Sequence, residues 1–296
     1  MCSTPFELSQ FLLAELKAIG IEDSEARAEA ELIVRKLSGL SLSQRLAYPE
    51  KELDPSVLQA AVNILERRKN REPIQYCLGE TYFYGLRFLL KPGVLIPRAD
   101  TELLVETVLS FCQSRRNSRE KIEIGEIGSG SGIISVSLLK GLDSAKLFAC
   151  DISASAIEQT RINAEYHAVL SRLDLKLEDW LSWIDSKQRQ FDVLVSNPPY
   201  IPLSQRGALA PELSLWEPEQ ALFGGDQDGL AFYRSFAKHA SCALKPGARA
   251  FLEIGYSQSE AVQSIFRMDS WRIAAVHADL NGIDRVLSLI PPNSPF

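Results

Sequence analysis

Ser196-Asn197-Pro198-Pro199-Tyr200 is the stretch whose residue types come closest to chemistry. It follows Phe191 to Val195, apolar apart from Asp192, which reads as a buried strand. Two prolines just beyond a strand remove backbone donors and fix the chain. The carbonyl of Pro198 is then free to accept, and Asn197 offers a second acceptor on its side chain. Two rigid acceptors, with Tyr200 covering the face, suit both hydrogens of a planar NH₂ group. Such a nitrogen is a poor nucleophile because its lone pair is delocalised. Oriented acceptors favour pyramidalisation and aim the lone pair at an electrophile such as the methyl of a sulfonium. A proline-rich turn that merely closes a strand is the structural alternative.

A second constellation lies upstream. Gly128-Ser129-Gly130-Ser131-Gly132 follows one strand and opens a helix, where glycines permit a tight turn and close approach of a ligand. The dinucleotide fingerprint wants Gly or Ala in the slot that Ile133 fills, so NAD is disfavoured and a ligand without a pyrophosphate fits better. Asp151, about twenty residues on, ends the next strand and could accept both hydroxyls of a ribose, or cap the helix near Ser153. Asp179-Trp180 follows the third strand. A carboxylate beside a large ring suits an adenine, and equally a surface acid next to a core Trp.

These residues need a scaffold. From Ile122 onward strands are expected at 122–127, 146–150, 173–177, 191–196, 248–254, 271–277 and 284–290. Helices are expected at 131–140, 153–167, 229–243 and 257–267. Such alternation predicts an α/β fold, a mainly parallel sheet with helices on both faces, its last two strands forming an antiparallel edge hairpin across Asn281-Gly282. Before it, Thr4-Pro5, Asp23 and Asp54-Pro55 open three amphipathic helices, a small bundle. Tyr76 to Leu90, around Gly85, reads as a β-hairpin, then a helix from Thr101 to Cys112 and a polar loop from Arg115 to Lys121. The expected division is a helical domain at 1–72, a hairpin linker at 73–98 and a catalytic domain at 99–296.

Composition narrows the classes. A net charge of −6 tilts against a nucleic-acid enzyme, which needs basic residues on its contact face. Cys2, Cys77, Cys112, Cys150 and Cys242 are dispersed, as are His167, His239 and His277, so reduced thiols and no metal site are expected. No secretory leader and no membrane span is evident, and a cytoplasmic location is expected.

The paired motifs resemble class I methyltransferases acting on planar amino groups, and the fuller pattern resembles the HemK/PrmC family. The matching segments run in order: Glu72-Pro73-Ile74-Gln75-Tyr76, Gly79-Glu80, Leu95-Ile96-Pro97-Arg98, Thr101-Glu102-Leu103, Asn197 to Tyr200, Trp216-Glu217-Pro218, Ala221-Leu222-Phe223-Gly224-Gly225, Asp228-Gly229-Leu230, Leu252-Glu253-Ile254-Gly255 and Asp284-Arg285-Val286. The resemblance implies a Rossmann-like seven-stranded fold that methylates the side-chain amide nitrogen of the glutamine in the Gly-Gly-Gln loop of class I peptide release factors. It implies S-adenosyl-L-methionine contacts at Gly128 to Gly132, Asp151, Asp179, Trp180 and Asn197. Asn197, Pro198, Pro199 and Tyr200 would bind the substrate amide, and the helical N-terminal domain would help grip the release factor, with no direct nucleic-acid partner. Departures from the family pattern are Glu126 for Asp, Ala99 for Pro, Trp216 for the commoner Phe and one extra residue at Asp226-Gln227. An amino-methyltransferase acting on nucleic-acid bases would share the acceptor turn, but must also unstack its base and hold phosphates. A non-catalytic binding module would be expected to show a broken motif.

Overall fold

The computed structural model describes residues 3–115 and 121–292. Cys2 and most of the expected polar loop, 116–120, lie outside the described residues.

The chain forms two compact units. The first comprises the residues up to Glu80 together with Pro211–Trp216. Its helices are α1 (Pro5–Ala18), α2 (Asp23–Ser38), α3 (Leu42–Ala47), α4 (Pro55–Lys69) and α5 (Ile74–Leu78). Thr4 caps α1 in a capping box with Glu7, and Pro5 sits where its missing N–H costs nothing. Leu8, Leu12, Ile33, Val34, Ala61 and Leu65 meet in a small core. Two features differ from the sequence reading. Tyr76 to Leu78 belong to α5, so the boundary expected at 72 falls at Glu80. The segment Pro211–Trp216, in the middle of the expected catalytic domain, belongs to the bundle. Arg68, 1% exposed, explains the second: its guanidinium binds Glu29 at 2.8 Å and Glu212 at 3.5 Å, and a buried cation requires such partners.

The second unit begins at Thr81, within the first strand of the hairpin, β1 (Glu80–Phe83) and β2 (Leu86–Leu89), followed by α6 (Thr101–Ser114). Then come β3 (Ile122–Ile127), α7 (Ile133–Gly141), β4 (Ala145–Asp151), α8 (Ala154–Tyr166), β5 (Leu173–Leu177), α9 (Trp180–Asp185) and β6 (Phe191–Ser196). After β6 the chain forms α10 (Pro211–Trp216) and α11 (Glu219–Leu222). It ends with α12 (Ala231–His239), β7 (Leu244–Glu253), α13 (Ser259–Met268), β8 (Arg272–Ala278) and β9 (Asp284–Ile290). The seven-stranded sheet has the order β5-β4-β3-β6-β7-β9-β8. The expected hairpin forms, but β9 is inserted antiparallel between β7 and β8, leaving β8 as the edge. The middles of the central strands, Leu147 to Cys150, Val193 to Val195 and Ala250 to Leu252, are apolar and buried because both their faces are covered. One face packs on α6, α7 and α8 residues such as Leu104, Val108 and Leu138. The other packs on Trp183, Tyr233, Phe236 and Phe266.

Strand order matters for the site. From β3 the chain winds outward through β4 to β5, then returns to place β6 on the other side of β3. The direction of winding reverses between β3 and β6, and ligands of open α/β sheets bind at the carboxyl ends of strands at such a point.

Candidate active site

Ile127 and Ser196 are register partners at the ends of β3 and β6, and the Ser196 hydroxyl donates to the Ile127 carbonyl at 2.8 Å. The glycine turn and the acceptor turn, some seventy residues apart in the chain, therefore leave the sheet side by side. A cavity of about 430 Å³ opens there, a volume suited to a small organic ligand. Gly128, Gly130, Asp151, Asp179 and Trp180 line it together with Asn197, Pro198 and Pro199.

The glycine turn is built on positive φ angles at Gly128, Gly130 and Gly132, a conformation that only glycine adopts at little cost. Four of its amides are already committed. Those of Gly128 and Ser129 donate to the Cys150 carbonyl, that of Gly130 to Asp151 Oδ2 at 3.0 Å, and that of Gly132 to the Ser129 carbonyl. A turn so engaged has few amides to offer a pyrophosphate, in line with the sequence reading that disfavours NAD. Ser129, Ser131 and Gly132 do not line the cavity but hold the turn. The Thr160 hydroxyl lies 3.1 Å from Ser129 Oγ, and Asn163 Nδ2 donates to the Ser131 carbonyl at 2.8 Å. A Cβ on Gly132 would press on Thr160. Thr160 and Asn163 carried no sequence signal.

Asp151 is not the cap of α8; Ser153 is. Its Oδ1 accepts the Ser153 amide and its Oδ2 the Gly130 amide, which leaves further lone pairs toward the cavity. Burial raises its pKa, opposed by the hydrogen bonds from Gly130 and Ser153. Asp179 does cap a helix: its Oδ2 accepts the Leu181 and Ser182 amides at the start of α9. Trp180 is half-buried with Phe232 at 5.2 Å, so an aromatic wall is formed by two residues, the second unforeseen from sequence.

The acceptor turn is braced from behind. Asn197 Nδ2 donates to the buried Thr101 hydroxyl at 3.0 Å, so Oδ1 is the atom of that amide left to accept. No donor among the described residues reaches the Pro198 carbonyl. Tyr200 is not among the residues lining the cavity, unlike the expected cover over the amide. Its hydroxyl is 3.4 Å from Glu253 Oε1, and its carbonyl accepts Gln258 Nε2 at 2.9 Å. Burial and the neighbouring Glu253 carboxylate keep its hydroxyl protonated. The chain leaving the turn is zipped to the segment 222–226: Ile201 N donates to the Leu222 carbonyl and Gly224 N to that of Ile201. The backbones approach so closely that a Cβ on Gly229 would lie 2.2 Å from the Tyr200 carbonyl oxygen. The turn with the additional residue is tied down as well, because Asp226 and Asp228 both accept the Leu230 amide and both bind Arg234.

One buried carboxyl beneath the turn carries no charge partner of its own. Glu126, at the end of β3 below the glycine turn, accepts the Ser135 hydroxyl; burial pushes its pKa up to about 8 and Oε1 is unpartnered. Glu217, by contrast, is fully used: it accepts the Ile96 amide at 3.0 Å and pairs with Arg98, joining 93–98 to Pro218, two walls of the cavity.

Residues 7–79 match the PrmC N-terminal domain family, and residues 99–212 match the Methyltransferase small domain family. The chain is 38% identical over 269 residues to a release factor glutamine methyltransferase of Geobacter sulfurreducens, covering 90% of each chain. It is 37% identical over 306 residues to a bifunctional methyltransferase of Rickettsia bellii; that alignment takes in 95% of this chain but 54% of the longer relative, so the chain spans about half of that protein. Among solved structures it resembles a release factor-specific protein-(glutamine-N5) methyltransferase of Alicyclobacillus acidocaldarius, at 30% identity, with 69% of this chain and 99% of the other covered and a TM-score of 0.42.

Proposed function

Since the chain belongs to the release factor glutamine methyltransferase family, we propose that it transfers a methyl group from S-adenosyl-L-methionine to the side-chain amide nitrogen of the glutamine in the Gly-Gly-Gln loop of class I peptide release factors. The observation that carries this reading is the pairing of Ile127 with Ser196, with Asn197 tied by its nitrogen to Thr101, so that a ligand cradle and an outward-facing acceptor share one cavity.

The residues present suit the donor. Asp151 keeps lone pairs for ribose hydroxyls, Trp180 and Phe232 supply a surface for a base, and Asp179 lies beside them with its Oδ1 uncommitted. The glycine turn allows close approach of a ligand while most of its amides are engaged within the fold. Bound there, S-adenosyl-L-methionine supplies an electrophilic methyl on a positively charged sulfur. Asn197 Oδ1 and the Pro198 carbonyl each accept one hydrogen of the substrate NH₂, and Pro199 adds a rigid wall. These fixed dipoles favour the pyramidal nitrogen over the planar one and orient its lone pair. Tyr200 braces the turn. No side chain is assigned as general base, and the product's proton is lost to water. The reading carries with it a cytoplasmic protein and a release factor as partner.

Methyl transfer from labelled S-adenosyl-L-methionine to a class I release factor tests it, beside the same factor with its loop Gln replaced by Ala and beside duplex DNA. Label on the Gln-containing factor alone is expected. Label on DNA would instead favour a nucleic-acid amine methyltransferase, and label on none would refute the assigned reaction.

A further inference from the structure

α8 carries Ser155, Gln159 and Asn163 at intervals of four residues, and His167 follows at the same interval as its C-cap, so these side chains stand in one row along the helix. The row faces the backbone of one segment, from Arg87 to Gly93, where the chain leaves the hairpin. His167 Nε2 donates to the Arg87 carbonyl at 2.7 Å and Gln159 Nε2 to the Leu89 carbonyl at 2.8 Å. A Cβ on Gly93 would lie 3.8 Å from Ser155 Oγ. Asn163 is wholly buried and takes both backbone groups of Leu89, as a neighbouring strand would. Its Oδ1 accepts the Leu89 amide at 2.8 Å and its Nδ2 donates to the Leu89 carbonyl at 2.9 Å. Nδ2 has a second hydrogen, and this one goes to the Ser131 carbonyl in the glycine turn at 2.8 Å. Both donors and the acceptor of one amide are thus engaged, and the N–H partner on Oδ1 leaves only this orientation of the group. A buried Asn inside a helix is costly unless so bonded, and packing alone would be served by an apolar residue.

We propose that Asn163 is a positioning residue for the donor side of the cavity: it locks the segment leaving the hairpin to the glycine turn, so that two walls of the cavity keep one spacing. That segment runs into Gly93, Val94 and Leu95, which line the same cavity as Gly128 and Gly130. The neighbours of Asn163 on α8 serve one wall each. Gln159 bonds to the hairpin segment, and the Thr160 hydroxyl donates to the Gly130 carbonyl at 3.1 Å. Of the three, Asn163 alone bonds to both. Its hold on Ser131 reaches the ligand side through the next residue, because the Gly130 amide donates to Asp151 at 3.0 Å. The effect on a bound donor rests on the methyl-transfer reading; the coupling of the two segments does not.

Two readouts test this on the full chain: backbone hydrogen exchange resolved by peptide, and calorimetric titration with S-adenosyl-L-homocysteine. Asn163→Asp keeps the size of the side chain and the acceptor for Leu89 but loses both donated bonds, and Asn163→Leu loses all three. Gln159→Leu loses a bond to Leu89 alone. Both Asn163 variants are expected to speed exchange about ten-fold over 87–95 and over 128–132 alike, whereas Gln159→Leu speeds it over 87–95 only. Affinity for S-adenosyl-L-homocysteine is expected to fall at least about ten-fold in the Asn163 variants and less than about three-fold in Gln159→Leu. In the methylation assay the donor KM of Asn163→Asp should rise by far more than kcat falls. Faster exchange over 87–95 alone in the Asn163 variants overturns the proposal. So does a loss of affinity in Gln159→Leu equal to that in Asn163→Asp, which would mark a general packing role. A wild-type protein that does not bind S-adenosyl-L-homocysteine, while its Asn163 variants open both segments, supports the coupling and defeats the donor reading alone.

Discussion

Asp151 Oδ2 accepts the backbone amide of Gly130 at 3.0 Å, so the carboxylate offered to a ligand is also the post on which the glycine turn hangs. Asp151→Ala removes both functions. Donor affinity is expected to fall at least about ten-fold, because the hydroxyl acceptors vanish and the Gly130 amide loses its partner. Turnover at saturating donor is expected to change far less, since the acceptor turn stands on β6. Calorimetric titration with S-adenosyl-L-homocysteine reads the first quantity. Unaltered affinity would remove Asp151 from the donor site.

Asn197→Ala presents the converse case. It deletes the acceptor and leaves the glycine turn untouched. A preorganised polar group of this kind typically contributes about 10²- to 10³-fold in kcat. A loss of that size is expected with donor affinity near the wild-type value. A variant turning over at close to the normal rate would refute the acceptor role.

Gly229→Ala tests how tightly the acceptor turn is held from outside. Gly229 has φ +73°, and a Cβ there would lie 2.2 Å from the Tyr200 carbonyl oxygen. The contact is with backbone, so relief requires moving the turn itself. A strained left-handed residue alone costs about 1–3 kcal/mol. We expect lower thermal stability together with reduced kcat. A variant with normal stability and rate would show that the turn tolerates displacement.

The elements that the sequence made legible are those whose local pattern and tertiary environment agree. Phe191 to Ser196 reads as a buried strand because both faces of its middle are covered, which calls for the apolar residues Val193, Leu194 and Val195 in succession. Leu42–Ala47, by contrast, buries no residue, so it left no amphipathic stripe to find. Tyr76 to Leu78 look like strand residues by aromatic content, yet Gly79 in the left-handed conformation closes them as a helical turn. The insertion of β9 between β7 and β8 is a register choice made by packing, invisible in a hairpin signal alone. At the site, Asn197 and Pro198 were legible because the chemistry is in their types. Thr101 was recognisable only as part of a family segment, since what it does depends on meeting Asn197 across the fold. Tyr200 does not line the cavity, although sequence places it next to residues that do.

Glu217→Ala is expected to act on walls and not on chemistry. The Glu217 carboxylate satisfies the buried Ile96 amide and pairs with Arg98. Truncation leaves that amide unpaired, which costs about 1–3 kcal/mol. The segments 93–98 and 218–225 would separate, so donor affinity should fall along with the unfolding midpoint. Glu217→Gln, which can still accept from Ile96, should recover part of both. Equal behaviour of the two variants would argue that the Arg98 ion pair, and not the amide contact, closes the cavity.

Glu126 supplies a prediction on stability against pH. Its carboxyl is fully buried, with Ser135 on one oxygen and nothing on the other, and burial pushes its pKa up to about 8. An unfolded glutamate titrates near ~4.3. The folded protein therefore binds this proton more tightly than the unfolded chain does. The stabilisation it gives is complete below the unfolded value and is lost as pH rises toward 8. Each pKa unit of difference corresponds to about 1.4 kcal/mol, so the upper limit is several kcal/mol. Glu126→Gln keeps the shape and cannot ionise. Urea unfolding at pH 5.5 and 8.5 should show the wild-type protein losing stability between the two and the Gln variant losing less, so that the variant's relative stability rises with pH. A difference between the two proteins that stays constant over this range would mean that Glu126 is already ionised in the folded state, held by groups other than Ser135.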